Sequence, residues 1–230
     1  MRVGIVGDIH LPFVHPMYLR FCLDIFSQWK VDHVHFVGDI VDLHALSFHD
    51  PEMDAHGAAD EARLALETMV SWQKAFRRAT VSIGNHDERH FRRAKKYGIP
   101  SQFVRPYEDV WQTPHWDWKR SHIIDGVVYE HGTGTSGKDA AYNRAIKKRR
   151  SCVIGHIHAH AGVKWHASDY DRIFGMNAGC GIDLESYAFC YSNSYVDRPI
   201  LGCGIVLDGT HAFYEVMPCG PKEEYHRTRA

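Results

Sequence analysis

Three times within the first 90 residues, a short apolar run ends at a glycine that is followed at once by a polar side chain. The junctions are Gly7-Asp8, Gly38-Asp39 and Gly84-Asn85. Glycine lets the chain turn sharply after a strand, and the next side chain then projects from the carboxyl edge of the sheet. Because helical periodicity fills the intervals, the pattern predicts parallel strands joined by right-handed crossovers, with these polar groups together at one edge.

Hydrophobic periodicity predicts the elements of this first half. Strands are expected at residues 2–7, 33–38 and 80–84, and helices at 17–29 and 58–79. The longer helix is expected to bury one face, made of Ala62, Leu66, Met69 and Phe76.

The second half carries antiparallel signals instead. Asp125-Gly126 and Asp208-Gly209 are hairpin turn pairs between apolar arms. A helix at 138–149 and a strand at 151–155 lie between them, and residues 98–121, with three prolines and three tryptophans, are expected to be irregular. Together the two halves predict an α/β sandwich with mixed sheets.

Composition sets limits on partners and location. The 230 residues are 44% hydrophobic, enough for a sizeable core, and are predicted to form a single domain over residues 1–230. A formal net charge of -1 gives no overall attraction to nucleic acid or to an anionic membrane. Since there is no apolar run of about 18 residues and no signal-peptide pattern, the chain is expected to be cytoplasmic, without a membrane partner.

Cysteine and histidine usage points to a metal site made of nitrogen and oxygen ligands. The six cysteines have no Cys-x-x-Cys spacing and are predicted to be buried thiols. Among 18 histidines, His131, His156 and His158 follow further apolar runs, and the last two would point to one side of an extended segment. Carboxylates, imidazoles and an amide oxygen suit first-row divalent cations, and their number is sufficient for two ions.

In type and order, these blocks resemble those of the calcineurin-like metallophosphoesterase family, which includes phosphatases, cyclic-nucleotide phosphodiesterases and nucleases. The resemblance rests on five blocks: Gly7-Asp8-Ile9-His10, Gly38-Asp39-Ile40-Val41-Asp42, Gly84-Asn85-His86-Asp87, His131 and Gly155-His156-Ile157-His158. It implies a four-layer αββα sandwich, in which two mixed β-sheets are flanked by helices.

The resemblance also implies how the ligands divide between two divalent metal ions. Asp8, His10 and His158 would hold the first ion, Asn85, His131 and His156 would hold the second, and Asp39 would lie between them. Mn²⁺ is the expected metal, with Fe, Zn or Ni as alternatives that suit the same ligands.

The implied activity is hydrolysis of a phosphodiester or phosphomonoester substrate, in which a hydroxide bridging the two cations attacks phosphorus. His86 would protonate the leaving group, as its counterpart does in the family, and either Asp87 or Asp42 would orient it. His44 and His160 lie near the motifs and are the candidates for contact with substrate.

One departure from the family pattern concerns the second block. In the family's serine/threonine phosphatases, the last aspartate is followed by an arginine that holds the substrate phosphate and then by a glycine, whereas Leu43 and His44 follow Asp42 here. The difference argues against a protein phosphatase. The continuation after Asp42, with the glycine-rich run 132–137, is more similar to uncharacterised phage and bacterial members.

A nuclease acting on DNA or RNA is the first alternative. Two basic runs, residues 92–96 and 147–150, favour nucleic acid as substrate, as would Trp111, Trp116 and Trp118 if they stacked on bases. The opposing interpretation is stronger, because basic helical residues usually coat a solvated face and the tryptophans can pack within their own segment.

The second alternative is a non-catalytic scaffold that keeps the fold and binds a partner through its surface. It is disfavoured because each expected metal ligand and His86 are present. The sequence does not reveal the oligomeric state, although the apolar segment 174–207 is a candidate homodimer interface.

Overall fold

The strands build two mixed sheets. The computed structural model describes residues 1–48, 55–183 and 198–218. The strands within these ranges are β1 (Arg2–Val6), β2 (His33–Phe36), β3 (Ala79–Ser82), β4 (Trp116–Lys119), β5 (Ser121–Ile124), β6 (Val127–Glu130), β7 (Cys152–Ile154), β8 (Ala161–Ala167), β9 (Arg172–Ala178), β10 (Gly202–Leu207) and β11 (His211–Val216). One sheet has the order β11-β10-β1-β2-β3-β4 and the other the order β5-β6-β7-β9-β8.

Helices cover the outer faces of both sheets. The helices of the described residues are α1 (Tyr18–Gln28), α2 (Ala58–Ala75), α3 (Arg89–Lys96), α4 (Tyr107–Val110) and α5 (Ala140–Lys148). Phe21 of α1 and Trp72 of α2 pack on the first sheet, while Ala141 of α5 packs on the second. Ile5 and Met176 belong to the apolar layer between the sheets. The predicted four-layer sandwich is therefore confirmed.

Parallel pairing places the strand ends that matter at one edge. β1, β2, β3 and β4 pair in parallel, and so do β6, β7 and β9. In each sheet the carboxyl ends of these neighbours lie side by side, which is the arrangement that the glycine junctions predict.

The buried face of α2 differs from the predicted one. Its buried residues are Glu61, Ala65, Met69 and Trp72. Ala62 and Leu66, which were expected there, are only half-buried. A tertiary contact explains the shift: the Glu61 carboxylate accepts hydrogen bonds from the backbone N–H groups of His44 and Ala45 at 2.6 and 2.9 Å.

The expectation of an irregular segment at 98–121 is wrong for its end, because β4 forms the edge of the first sheet. Trp111 and Trp116 are 2% and 4% exposed, and the Trp116 indole donates a hydrogen bond to the Phe76 carbonyl. Trp118 stacks on Tyr107 with ring centroids 5.3 Å apart. The tryptophans therefore pack within the protein, as the opposing interpretation expects, with Trp118 half-buried.

Both predicted hairpin turns form, and they account for the antiparallel pairs β5–β6 and β10–β11. Asp125 and Gly126 have φ angles of 47° and 79°, in the left-handed region that such turns require. The β8–β9 pair was not predicted, because its turn carries no glycine signal.

Some predictions for the C-terminal part concern the core. Phe174, Met176 and Ile205 are buried between or beneath the sheets, so these side chains are not available to a dimer interface. The rest of that candidate segment, residues 184–197, lies outside the described residues.

The four described cysteines are buried and free, as predicted. Across the described ranges, none of the helices has the length and hydrophobicity needed to cross a bilayer.

Candidate metal centre

Loops from both sheets converge on one site. Asp8 and Asp39 follow β1 and β2 of the first sheet, and His131 and His156 follow β6 and β7 of the second. Asp8, Asp39 and His131 are 0%, 1% and 2% exposed. Burial of carboxylates is costly unless a positive charge shares the site, so the cluster calls for cations.

The first group of candidate ligands is Asp8, His10 and His158, whose ligand atoms lie within 4.8 Å of one another. His10 Nδ1 lies 2.7 Å from Asp42 Oδ1, and a proton donated along this bond leaves the Nε2 lone pair for a metal. Asp8 Oδ2 lies 2.9 Å from His158 Nε2. Within the described ranges, Asp8 Oδ1 and His10 Nε2 are buried without a hydrogen-bond partner, as atoms that await a metal would be.

The second group is Asp39, His131 and His156, again within 4.8 Å. His131 Nδ1 lies 3.0 Å from the Val37 carbonyl, to which it can donate, so its Nε2 is the atom directed into the site. That Nε2 lies 3.0 Å from Asn85 Oδ1 and 3.1 Å from Asp39 Oδ2. Asn85 thus adds an amide oxygen to this group.

Asp39 connects the two groups. Its Oδ2 lies 3.1 Å from His131 Nε2 and 3.7 Å from His10 Nε2. His10, Asp39 and His86 also form a cluster within 4.8 Å, so His86 lies at the rim of the same site.

The carboxylates of the site favour a positive charge beside them. Burial lowers the pKa of His131, but Asp39 and Asp8 outweigh burial and raise the value to about 10. Carboxylates that stabilise an imidazolium so strongly would equally stabilise a divalent cation in its place, with release of the proton. The donor set of oxygens and imidazoles therefore fits first-row divalent metals.

The backbone is strained where it presents these side chains. His10, Asp39 and His156 have φ angles of 47°, 47° and 68°. This conformation is rare for residues other than glycine and is often found at functional sites. Because His156 adopts this left-handed conformation, the segment from His156 to His158 turns and is not extended as predicted. The two imidazoles belong to different groups of candidate ligands.

Two glycines let carboxylates press against the backbone. A Cβ atom at Gly84 would lie 2.1 Å from Asp39 Oδ1, and one at Gly155 would lie 2.1 Å from Asp8 Oδ1. Any larger residue would push the carboxylate away, which explains in physical terms why glycine precedes the ligand in these blocks.

The proposed proton donor His86 has a carboxylate partner. Its Nδ1 lies 2.8 Å from Asp42 Oδ1. Burial would lower the pKa of His86, but Asp39 and Asp42 outweigh it and raise the value. Of the two carboxylates considered, Asp42 makes this contact. Asp87 instead accepts hydrogen bonds from backbone N–H groups of the loops, at Ile40, Val41 and Gly84.

The two candidates for substrate contact, His44 and His160, have different surroundings. His44 is buried, with its Nδ1 3.9 Å from Asp42 Oδ2. His160 lines a separate cavity of about 280 Å³ next to α5, together with Lys138 and Asn177. The two histidines therefore do not share one surface.

Sequence reasoning assigned no role to Arg89. Its guanidinium lies beside His86, with Nη2 3.2 Å from His86 Nε2. The available signal was spacing, because a residue three positions after His86 lies on the same side of the turn that enters α3.

A family model described as calcineurin-like phosphoesterase matches residues 1–179. This range contains the ligands, His86 and Arg89. No curated protein sequence matches the chain significantly.

Solved structures show similar folds at low identity. A metallophosphoesterase from Sphaerobacter thermophilus is 16% identical, with a TM-score of 0.51 over 94% of this chain and 88% of that one. Vacuolar protein sorting 29 from Cryptosporidium parvum is 10% identical, with a TM-score of 0.47 over 94% and 95%. The E. coli phosphoesterase Yfce is 14% identical, with a TM-score of 0.42 over 89% and 91%. At 16% identity, the likeness to the Sphaerobacter thermophilus structure supports the fold alone.

Proposed function

Because the chain belongs to the calcineurin-like phosphoesterase family, we propose that it is a dinuclear metal-dependent hydrolase of phosphoesters. The observation that carries the proposal is the position of the Asp39 carboxylate between His10 and His131. Asp8, His10 and His158 would hold one ion and Asn85, His131 and His156 the other. Bound cations there would supply Lewis acidity, which activates water and neutralises charge on phosphoryl oxygens.

The ligand set guides the choice of metal. Carboxylate and amide oxygens with imidazoles suit Mn²⁺, which we propose as the native metal, with Fe, Zn and Ni as the alternatives to compare.

His86 would deliver the proton that the leaving alkoxide needs. Asp42 holds Nδ1 at 2.8 Å, which fixes the ring and leaves Nε2 as the atom that faces outward from this contact. The carboxylates of Asp39 and Asp42 raise the pKa of His86, which favours the protonated imidazole that a proton donor needs. Asp42 therefore acts as the orienting residue.

The test is a substrate panel with metal-reconstituted protein. Bis(p-nitrophenyl) phosphate, p-nitrophenyl phosphate and a labelled oligonucleotide distinguish diesterase, monoesterase and nuclease activity. His86→Ala should slow hydrolysis of an alkyl phosphate by about 10²- to 10⁴-fold, and that of a nitrophenyl ester much less, because nitrophenolate leaves without protonation. His211→Ala, on the exposed end of β11, is the matched control.

Equal losses on both kinds of leaving group would contradict the role of His86. Absence of metal-dependent turnover on the whole panel, with two ions bound, would favour the non-catalytic scaffold.

A further inference from the structure

The side chain of Arg89 is cationic and lies beside the proposed catalytic residue His86, but it cannot itself bind a metal ion. Arg89 opens α3 and is half-buried against the loop that carries Asp42. Its Nη1 donates a hydrogen bond of 2.7 Å to the Asp42 carbonyl, and its Nη2 lies 3.2 Å from His86 Nε2. In the described part of the chain, no carboxylate forms a salt bridge with it.

The other arginines of α3 have different partners. Arg93 donates to the carbonyl groups of Leu46 and Ser47 and so fixes the preceding loop. Arg92 lies over the Phe48 ring, 5.1 Å from its centroid, and is exposed. Arg89 alone among these three touches a residue of the proposed catalytic machinery.

The position of Arg89 suits a phosphoryl group. A guanidinium offers five N–H donors in a planar fork, and the Asp42 carbonyl accepts from one of them. Such a fork binds phosphate oxygens in pairs and stabilises the charge that accumulates on them.

We propose that Arg89 forms a phosphate-binding subsite and contacts a non-bridging oxygen of the substrate phosphoryl group. The inference rests on the proposed function, whose site it completes. On substrate binding, Nη2 donates a hydrogen bond to the phosphoryl oxygen, and the proton on His86 Nε2 points at the leaving group, which takes it up as the ester bond breaks. The hydrogen bond from Nη1 to the Asp42 carbonyl keeps the guanidinium in place when the substrate binds.

The subsite favours phosphomonoesters. A monoester carries one more charged terminal oxygen than a diester, so a cation beyond the two metals contributes more to its binding. Inorganic phosphate, the product of monoester hydrolysis, should bind to the same subsite.

The test compares Arg89→Met and Arg89→Lys with Arg92→Met, which removes the same charge from an exposed position on the same helix. Calorimetry with inorganic phosphate is performed on each metal-reconstituted protein, after metal content and urea stability have been measured. Arg89→Met should weaken phosphate binding by about 10- to 100-fold. It should also lower kcat/KM for p-nitrophenyl phosphate at least tenfold more than for bis(p-nitrophenyl) phosphate. Arg89→Lys keeps the charge without the fork and should be intermediate, and Arg92→Met should match the wild type.

Unchanged phosphate affinity in both Arg89 variants would overturn the inference. Equal losses on the two substrates with unchanged phosphate affinity would also overturn it, since Arg89 would then only hold the Asp42 loop. These outcomes leave the proposed function intact if the wild type shows metal-dependent turnover and His86→Ala slows hydrolysis of the alkyl phosphate. If the wild type hydrolyses no substrate of the whole panel, the proposed function fails, and calorimetry still decides whether Arg89 binds phosphate.

Discussion

Two clusters of histidines lie within the same fold and differ in their partners. In the metal centre, buried carboxylates raise the pKa values of His86 and His131, whereas burial lowers those of His10 and His156 beside the same carboxylates. The core histidine cluster consists of His33, His35 and His122 and lies along β2, β3 and β5. Burial lowers the pKa of each of these three.

Neutral groups hydrogen-bond the core histidine cluster, and Asp117, whose Oδ2 lies 4.0 Å from His122 Nδ1, is exposed. His35 is 0% exposed, with Nδ1 2.8 Å from Thr80 Oγ1 and Nε2 3.1 Å from Ser82 Oγ. His122 Nε2 donates to the Val81 carbonyl at 3.1 Å. Hydroxyl and carbonyl partners keep an imidazole neutral and structural, whereas buried carboxylates create a demand for positive charge. The partners of a histidine, more than its burial, thus separate a cation site from a core contact.

Removing the shared carboxylate should break the metal centre and leave the core histidine cluster unaffected. Asp39→Asn keeps the shape but loses the charge between the two groups. We expect turnover to fall by about 10³-fold, because metal assistance contributes several kcal/mol, and the metal content to fall below two ions per chain. Elemental analysis beside nitrophenyl ester hydrolysis measures both. Full occupancy with full turnover would show that Asp39 is not shared.

The reciprocal change should affect stability alone. His35→Ala removes a buried ring and its two hydrogen bonds. We expect the free energy of unfolding to fall by about 2 to 4 kcal/mol, with unchanged metal content per folded chain. Urea denaturation at pH 7.5 measures the loss. A variant that folds stably but binds no metal would mean that the two clusters are coupled.

The close packing of glycine against Asp8 allows a finer test of the metal centre. Gly155→Ala would place a Cβ atom 2.1 Å from Asp8 Oδ1 and displace that carboxylate. Metal affinity should fall by about 10- to 100-fold, as when a supporting group is lost. Competition with a chelating dye measures it. Gly57→Ala, where a Cβ atom meets nothing within 4 Å, is the control and should bind metal normally.

The smallest expected effect is a difference in pH dependence. Since burial holds the pKa of His35 well below 6.5, the unfolded chain takes up a proton below about pH 6.5 that the folded chain refuses. Stability should therefore be lost as pH falls from 7.5 to 5.5. In His35→Gln the loss should be shallower, by at most about 1.4 kcal/mol per pH unit. Urea titrations of both metal-free proteins supply the slopes, and parallel slopes would refute the contribution of His35.

The sequence was most informative where a local rule determined the outcome. Glycine after an apolar run predicted that Asp8, Asp39 and Asn85 would share one edge, because the carboxyl ends of parallel strands always meet. The hairpin at Asp125-Gly126 followed from turn chemistry in the same way. The family resemblance then added the division of the ligands, which no local rule supplies and which stays a prediction.

Features that depend on distant partners were missed. Glu61 is buried because two backbone N–H groups of another segment meet it, which no helical pattern reveals. The strand β4 exists because β3 offers it an edge. The hydrogen bond from Arg89 to the Asp42 carbonyl joins segments 47 positions apart, which no local pattern reveals. The single domain, the cellular compartment and the oligomeric state stay predictions.

The donor atoms of the centre come from both sheets, and the proposed set runs from residue 8 to residue 158. A chain still being synthesised therefore lacks a complete set until His158 has left the ribosome. Complete coordination of the proposed ions would require the loops of the two sheets to have met, so full metal loading would report that the sheets have docked.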